Sequence, residues 1–571
     1  MPRACPPKMS DASSSRATPE ARRAHLEELI QQLQRVPDGY DALPSSHPLK
    51  IAARTFSLGL SFSLVPALLG QLLSGKIRPT AKLRATLARE LSPTGFPFAM
   101  AVAFGGGAAL ESWWTKSGVH SPTSSRDSLV AHALSSALAM GLIDLRAKAW
   151  THGIASAPPP RKQGVSAGSS PTLDFTLLLL VRALDSIVQS WIRRESTRPN
   201  KRPEYAQRIK WLDAQLDGVL FWLCSARIMW AFFYLPQTLP RSYVQWINAL
   251  ARIDPRLQLA LRAVRDGTWA YGQARSASES ALLQTLATSM GFPADWGNPK
   301  LLPAHSGTTA DIAWAKMGLK SRPGVGGIPC ELIHGRKYGA SCTINATGRA
   351  AQAFFQALAI YAPVHALPVL LSEARRRKLL RRPMDVLLRT TTNTSRSAAF
   401  LASFVGLIWA TICASRTGVI PRIPGLRGRL SHQYLDGPHG AVLFGCMVCG
   451  LSIFIETPSR RGEIALYVMP RALRSLLRGS WISRDNRPAH LVERTVAVLC
   501  LAWLAMAAKH DAGSLRGLSR WVLSFAMRGR APPPPSGAVT PMPAFTPART
   551  PTPPPRSPKH EVAAAEPSGQ L

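Results

Sequence analysis

Phe98-Ala-Met-Ala-Val-Ala-Phe-Gly-Gly-Gly-Ala-Ala-Leu-Glu111 and, far downstream, Gly440-Ala-Val-Leu-Phe-Gly-Cys-Met-Val-Cys-Gly-Leu-Ser-Ile-Phe-Ile-Glu456 are two apolar, small-residue-rich stretches that each close on a glutamate. Glu111 follows Gly105 at the same spacing that separates Glu456 from Gly450. Each stretch is preceded by an apolar run that opens behind an arginine, Arg54-x-Phe56 in one case and Arg396-Ser-Ala-Ala-Phe400 in the other. Each is followed by a third matching segment, Arg126 to Leu138 and Arg461 to Leu473. Repetition of apolar helices in one order is the pattern of multi-pass membrane folds. The chain therefore reads as an all-α helical membrane bundle of two related halves.

The totals fit that reading once position is considered. Of 571 residues, 69 are Lys or Arg against 32 Asp or Glu, a net charge of +37. Such a surplus suits nucleic acid, an anionic membrane surface, or loops flanking membrane helices. The basic residues cluster between apolar runs, at 76–89, 193–210, 375–382, 416–429 and 460–487. No RNP motif or zinc-finger spacing accompanies them. They read as loops facing lipid headgroups, and no nucleic-acid partner is expected. The eight cysteines are scattered, several inside apolar runs, unlike a secreted disulfide framework. No cleaved signal is expected, because the first apolar run begins only near Phe56.

Along the chain, residues 1–45 form a polar leader without fixed structure, apart from an amphipathic helix over Arg23 to Arg35. The first membrane half covers 46–235, with spans expected at Phe56–Leu73, Phe96–Trp114, Leu129–Leu145, Leu173–Trp191 and Leu216–Leu235. An irregular connecting segment, 236–344, carries Cys330 and Cys342, with helices expected at Leu257–Val264 and Ser278–Met290. The second half covers 345–510, with spans at Ala350–Leu371, Ser397–Ser415, Gly440–Ile455 and Thr495–Ala508. Lengths at the short end put the count at roughly six to nine. Residues 511–571 read as a basic, then Pro-rich, disordered tail, with Thr-Pro and Ser-Pro pairs suited to phosphorylation.

Several residues stand out. Gly105, Gly406, Gly445 and Gly450 sit on faces where small residues recur every fourth position, which lets helix backbones approach where hydrophobicity cannot drive association. Arg182 and Asp185, three apart within an apolar run, are expected to pair. Arg227 interrupts another run. Such charges read either as the wall of a watery path or as pairs that fix helix register. Glu111 and Glu456 end their helices near an interface, and Glu456 with Arg460, Arg461 and Glu463 forms a candidate structural clasp. Cys330-Glu-Leu-Ile-His334 and Cys342 offer metal ligands, but a closed zinc site needs four and no fourth is evident nearby. Cys446 and Cys449 read as small apolar residues inside a helix. No Walker loop, dinucleotide fingerprint, nucleophile elbow or His-Glu-x-x-His appears, so no cofactor and no enzymatic activity are expected.

Five segments carry a resemblance to a known family. They are His47 to Gly59, Cys330 to His334 with Cys342, Tyr361-Ala-Pro-Val-His-Ala-Leu-Pro368, Arg396 to Phe400, and Gly450 to Glu456 with Arg460 to Pro470. Together they resemble the transmembrane protein 135 family over roughly residues 40–510. That family is similar to the inner-membrane protein-translocase channel subunits, which are Gly-rich helical hairpins. The resemblance implies a peroxisomal, mitochondrial or lipid-droplet setting, fatty-acid and sterol handling, and a part in mitochondrial division. Gly335 follows His334 where the family pattern calls for Pro.

The expectation is a multi-pass peroxisomal or mitochondrial membrane protein serving lipid and organelle homeostasis, as a membrane path or a scaffold. Its partners would be the bilayer and organelle membrane proteins or lipid. The alternative is a membrane-embedded enzyme or metal-binding protein using Cys330, His334 and Cys342.

Overall fold

A computed structural model describes residues 43–73, 81–118, 124–151, 170, 172–196, 203–273, 276–319, 323–335, 337–338, 341–371, 373–426, 428–482 and 486–529. The fold is all-α. Among the described residues the only β contacts are isolated bridges, Ala270 with Gln273 and His305 with Ser431. The helices run α1 Pro48–Leu73, α2 Ala81–Glu90, α3 Phe96–Ala101, α4 Gly107–Lys116, α5 Ser125–Thr151, α6 Leu173–Ser196 and α7 Pro203–Tyr234. The connecting segment supplies α8 Arg241–Ala251, α9 Pro255–Asp266, α10 Ala277–Ser289, α11 Thr308–Lys316 and α12 Cys330–His334. Then come α13 Cys342–Leu371, α14 Glu373–Arg381, α15 Pro383–Cys413, α16 His432–Leu435, α17 Ala441–Cys449, α18 Pro458–Leu476, α19 Gly479–Ile482, α20 Arg487–His510 and α21 Gly517–Arg528.

Five described helices are long and apolar enough to cross a membrane: Ser125–Leu145, Leu173–Ser196, Gln207–Tyr234, Pro383–Val419 and Arg487–His510. Their outward faces keep Leu134, Leu138, Leu184, Leu223 and Leu499 exposed. Such a display is unfavourable in water and neutral in hydrocarbon. Two further runs fall short of a full span. The Phe96–Trp114 run is divided by a π-helical turn at Val102–Gly106, and α17 gives way to a 3-10 turn at Gly450–Ile455.

These irregular turns sit where helices touch most closely. A Cβ on Gly105 would lie 2.6 Å from the Ala52 Cβ of α1, and one on Gly107 2.0 Å from the His132 ring of α5. In the second repeat, a Cβ on Gly406 would meet the Ala350 Cβ at 3.0 Å, one on Gly445 the Ile412 side chain at 2.7 Å, and one on Gly450 the Ser225 hydroxyl at 2.6 Å. The glycines chosen from the sequence are thus the contact points of neighbouring helices. The order helix, interrupted helix, helix occurs twice: α1, α3–π–α4, α5, and α15, α17–3-10, α18.

The halves do not divide at 235 and 345, however. One core joins Ile51, Met100, Phe104, Met140 and Leu179 to Leu501, Leu504, Leu515 and Met527. The other joins Phe221, Phe232 and Tyr234 to Ala357, Phe400, Trp409, Ile453 and Val468. So α7 packs with the carboxy-terminal helices, and α20 and α21 pack with the amino-terminal ones. Surface texture explains the exchange. α7 packs along α18 and α17, with Phe221 edge-on to Phe400 and Phe404 of α15. The alanine face of α20 (Ala497, Ala505, Ala508) lies close against α5 and α6.

Two other expectations change. The connecting segment is not irregular but a folded unit with its own core of Trp269, Leu283, Leu286, Leu302 and Trp314. Its helix α9 shows why: Asp254 caps it by accepting from the Arg256 backbone N–H at 2.8 Å, Pro255 opens it, and Gly267 (φ 74°) ends it. The tail is also folded at its start, because α21 packs on α20 and α1. The leader helix at Arg23 to Arg35, the loop at 155–171 except Ser170, and the Pro-rich stretch from Ala531 lie outside the described residues.

Candidate functional site

The carboxy-terminal core is not filled. A cavity runs between α7, α8, α15 and α18, with an interior free volume of about 130 Å³ inside an envelope of about 1390 Å³ that includes its open mouth. Along α15 its wall is one helical face, Phe400, Phe404, Val405, Ile408 and Ile412, with Arg416 in the π-helical turn that follows. From Phe400 to Ile412 that face is about 18 Å long at the α-helical rise. Phe221, Ile228, Met229 and Phe233 of α7 stand opposite, and Tyr243 and Trp246 of α8 close one side. The lining is therefore elongated and almost wholly apolar.

The polar groups at its deep end are already paired. Arg416 Nε lies 2.7 Å from Asp436 Oδ1, with both side chains 4% exposed, and Arg416 Nη2 donates to Oδ2 at 3.0 Å. The Tyr271 hydroxyl donates to the same carboxylate. Tyr234 donates to the backbone oxygens of Asp436 and Gly437 at 3.0 and 2.8 Å. Beside them the His432 Nε2 and the Ser306 hydroxyl lie 3.2 Å apart. Burial and the Arg416 charge push the His432 imidazole down to about 4. The unfolded chain takes up this proton near pH 6.5 and the folded chain only near pH 4, so acid favours unfolding. Stability should fall as pH drops from about 6.5 to 4, by up to about 3 kcal/mol. His432→Asn should flatten that slope in thermal unfolding of the detergent-solubilised protein. An unchanged slope would assign the acid sensitivity elsewhere.

The candidate clasp lies at the opposite end. Glu456 is buried, and its Oε1 accepts from the Ser397 hydroxyl at 2.5 Å. Arg460 donates to Ser397 at 2.7 Å, reaches the His365 ring at 3.2 Å, and stands 3.9 Å from Glu456. Arg461 instead donates to the backbone oxygens of Glu456 and Phe454, each at 3.1 Å. Glu463 leaves the clasp altogether and pairs with Arg182 at 3.3 Å.

That contact also overturns the expected Arg182–Asp185 pair. Asp185 is held by Arg516, whose Nε is 3.0 Å from Oδ1. Arg516 also reaches Asp217 at 3.0 Å and Asp213 at 3.7 Å. Arg182 and Asp185 are on one helix but face different neighbours, α18 and the chain before α21. Arg227 donates to the Ser475 hydroxyl at 3.1 Å and stacks on Trp230, and Glu111 pairs with Lys509 at 2.9 Å. These charges tie helices together; the cavity lies elsewhere. Asp213 and Asp217, four apart on α7, were a legible same-face pair, whereas Arg516 sat in a stretch that reads as tail.

The thiols converge too. Cys330 and His334, one turn apart on α12, and Cys342 at the start of α13 bring their donor atoms within 4.8 Å of one another. A residue that sequence spacing did not suggest joins them: Cys413, at the end of α15, has its Sγ 3.3 Å from His334 Nε2. None of Cys330, Cys342 and Cys413 is in a disulfide. Cys446 and Cys449 are fully buried in α17, as small apolar residues would be.

The chain matches no protein-family model, no curated protein and no solved structure.

Proposed function

We propose that this chain is a non-enzymatic, multi-pass membrane protein of a peroxisome or mitochondrion that takes up an elongated, single-chain lipid into the cavity beside α15. The observation that carries the reading is the cavity itself, about 18 Å of apolar wall in a bundle whose helices are long enough to span a bilayer. A lipid tail occupies one leaflet, half of a hydrocarbon core about 30 Å thick. A slot of that length receives it with the headgroup at the mouth. The resemblance to the transmembrane protein 135 family supports the same setting and the same class of cargo. The Arg416–Asp436 pair at the deep end is internally neutral, which suits the tail end of a lipid better than a charged head.

A photoreactive fatty acid tests this on the purified protein. Crosslinks should map to peptides of α7, α15 and α18. Val405→Trp should reduce them roughly tenfold, because overpacking a filled slot costs about 1–3 kcal/mol. Leu387→Trp, on the exposed amino-terminal part of α15, should not change them. Labelling confined to outward faces, and equal in Val405→Trp, would end the proposal.

A further inference from the structure

We propose that Cys330, His334, Cys342 and Cys413 together bind one zinc ion, which fastens the connecting unit to the carboxy-terminal end of α15. Three observations carry this. The first is the donor set. Three thiols and one imidazole are a complete structural zinc complement, and sulfur-rich tetrahedral sites favour zinc over the hard cations that seek oxygen. With Zn–S near 2.3 Å and Zn–N near 2.1 Å, the ligand–ligand edges of such a tetrahedron are about 3.6–3.8 Å. Cys330, His334 and Cys342 are within 4.8 Å of one another, and His334 Nε2 is 3.3 Å from Cys413 Sγ. Cys413 lies outside that mutual 4.8 Å group, so closing on a central ion requires its side chain to shift toward the other ligands.

The second observation is the surrounding shell. Arg349 is buried on the Trp409 ring at 4.0 Å and donates to the His334 backbone oxygen at 3.1 Å, which holds α12 in place. It also donates to Asn345 Oδ1 at 2.7 Å. With Oδ1 taken by Arg349, the buried Asn345 Nδ2 has no hydrogen-bond acceptor. A buried amide N–H without an acceptor is costly, and a metal-bound thiolate nearby would supply one.

The third is charge. Three thiolates and a zinc ion leave one net negative charge. The guanidinium of Arg349, which donates to the His334 backbone oxygen, stands beside the cluster and offsets that charge.

The ion would have a structural consequence. Ile328 and Ile333, on the chain leading into and along α12, line the cavity wall. Zinc would lock that wall to α15. The metal assignment stands on its own donors and does not depend on which molecule fills the cavity.

The test is metal analysis of the full-length protein, purified in detergent through a tag without histidines and reconstituted with zinc. About one zinc per chain is expected. Cys342→Ser and Cys413→Ser should each lose most of it, and Cys446→Ser, outside the cluster, should keep it. Asn345→Ala should weaken zinc binding roughly 10–100-fold while retaining the site. Cobalt(II) substitution should give the intense visible bands of a tetrahedral thiolate site, shifted in Cys413→His, a variant that preserves a ligand if the serine variants do not accumulate. Zinc should also slow alkylation of Cys342 in the unaltered chain. Zinc well below one per chain after reconstitution, zinc undiminished in Cys413→Ser, or alkylation indifferent to zinc would each overturn the proposal. So would iron with inorganic sulfide in place of zinc.

Discussion

Arg416→Met is expected to cost about 4 kcal/mol, because removing one member of a fully buried ion pair strands the other. The stranded group is Asp436, 3% exposed and held in the fold by its backbone bonds to Tyr234 as well as by Arg416. It cannot swing out to water. The loss would appear as a lowered unfolding temperature in detergent and as faster proteolysis between α8 and α12, since Tyr271 of the connecting unit shares the same carboxylate. Removing both charges is the discriminating comparison. Arg416→Met with Asp436→Leu should recover at least half of the loss, and adding Tyr271→Phe should recover more, because the phenol then leaves no hydroxyl without an acceptor. If the single variant matches the unaltered chain, the pair contributes nothing and the deep end of the cavity is held by packing alone.

Arg516→Met should cost about 3 kcal/mol, the low end of the range for a broken buried pair, because the arginine keeps 25% of its side chain in solvent. Its partners are less forgiving. Asp185 and Asp217 have side chains only 6% and 8% exposed, and they come from different helices, α6 and α7. Without the guanidinium these two carboxylates face each other in the bundle. Asp185→Asn with Asp217→Asn in the Arg516→Met background should restore most of the stability, while Arg516→Lys should restore less, since one ammonium cannot bridge both carboxylates as the fork does. The readout is the unfolding temperature together with protease release of α21. A loss confined to α21, with the α6–α7 contact untouched, would show that Arg516 only docks the tail.

How much of this was legible depends on how far apart in the chain the partners lie. Gly105, Gly406 and Gly445 were chosen from four-residue spacing, and each is a helix contact, because periodicity along one helix fixes which residues share a face. Cys330, His334 and Cys342 were legible as a group because they are neighbours in sequence. Arg182 and Asp185 show the limit. Their spacing made pairing possible, but each met a better-placed opposite charge on another element, Glu463 and Arg516. The connecting unit was misread because its helices are short and its core joins faces of α9, α10 and α11 to loop residues such as Trp269, a convergence that no single period shows.

By itself the sequence determined an all-α chain, the positions of its apolar helices, the small residues through which they touch, and Cys330, His334 and Cys342 as candidate metal ligands. Those features are written in local composition and period, which survive whatever the rest of the chain does. Only the tertiary structure decided that α7 and α20 exchange between the halves, that Arg516 gathers acids from two helices, that a slot remains open along α15, and that Cys413 lies against His334. The physical reason is that apolar helices are nearly interchangeable as neighbours when read singly. Which one lies beside which is settled by the shape and charge of whole faces brought together in space.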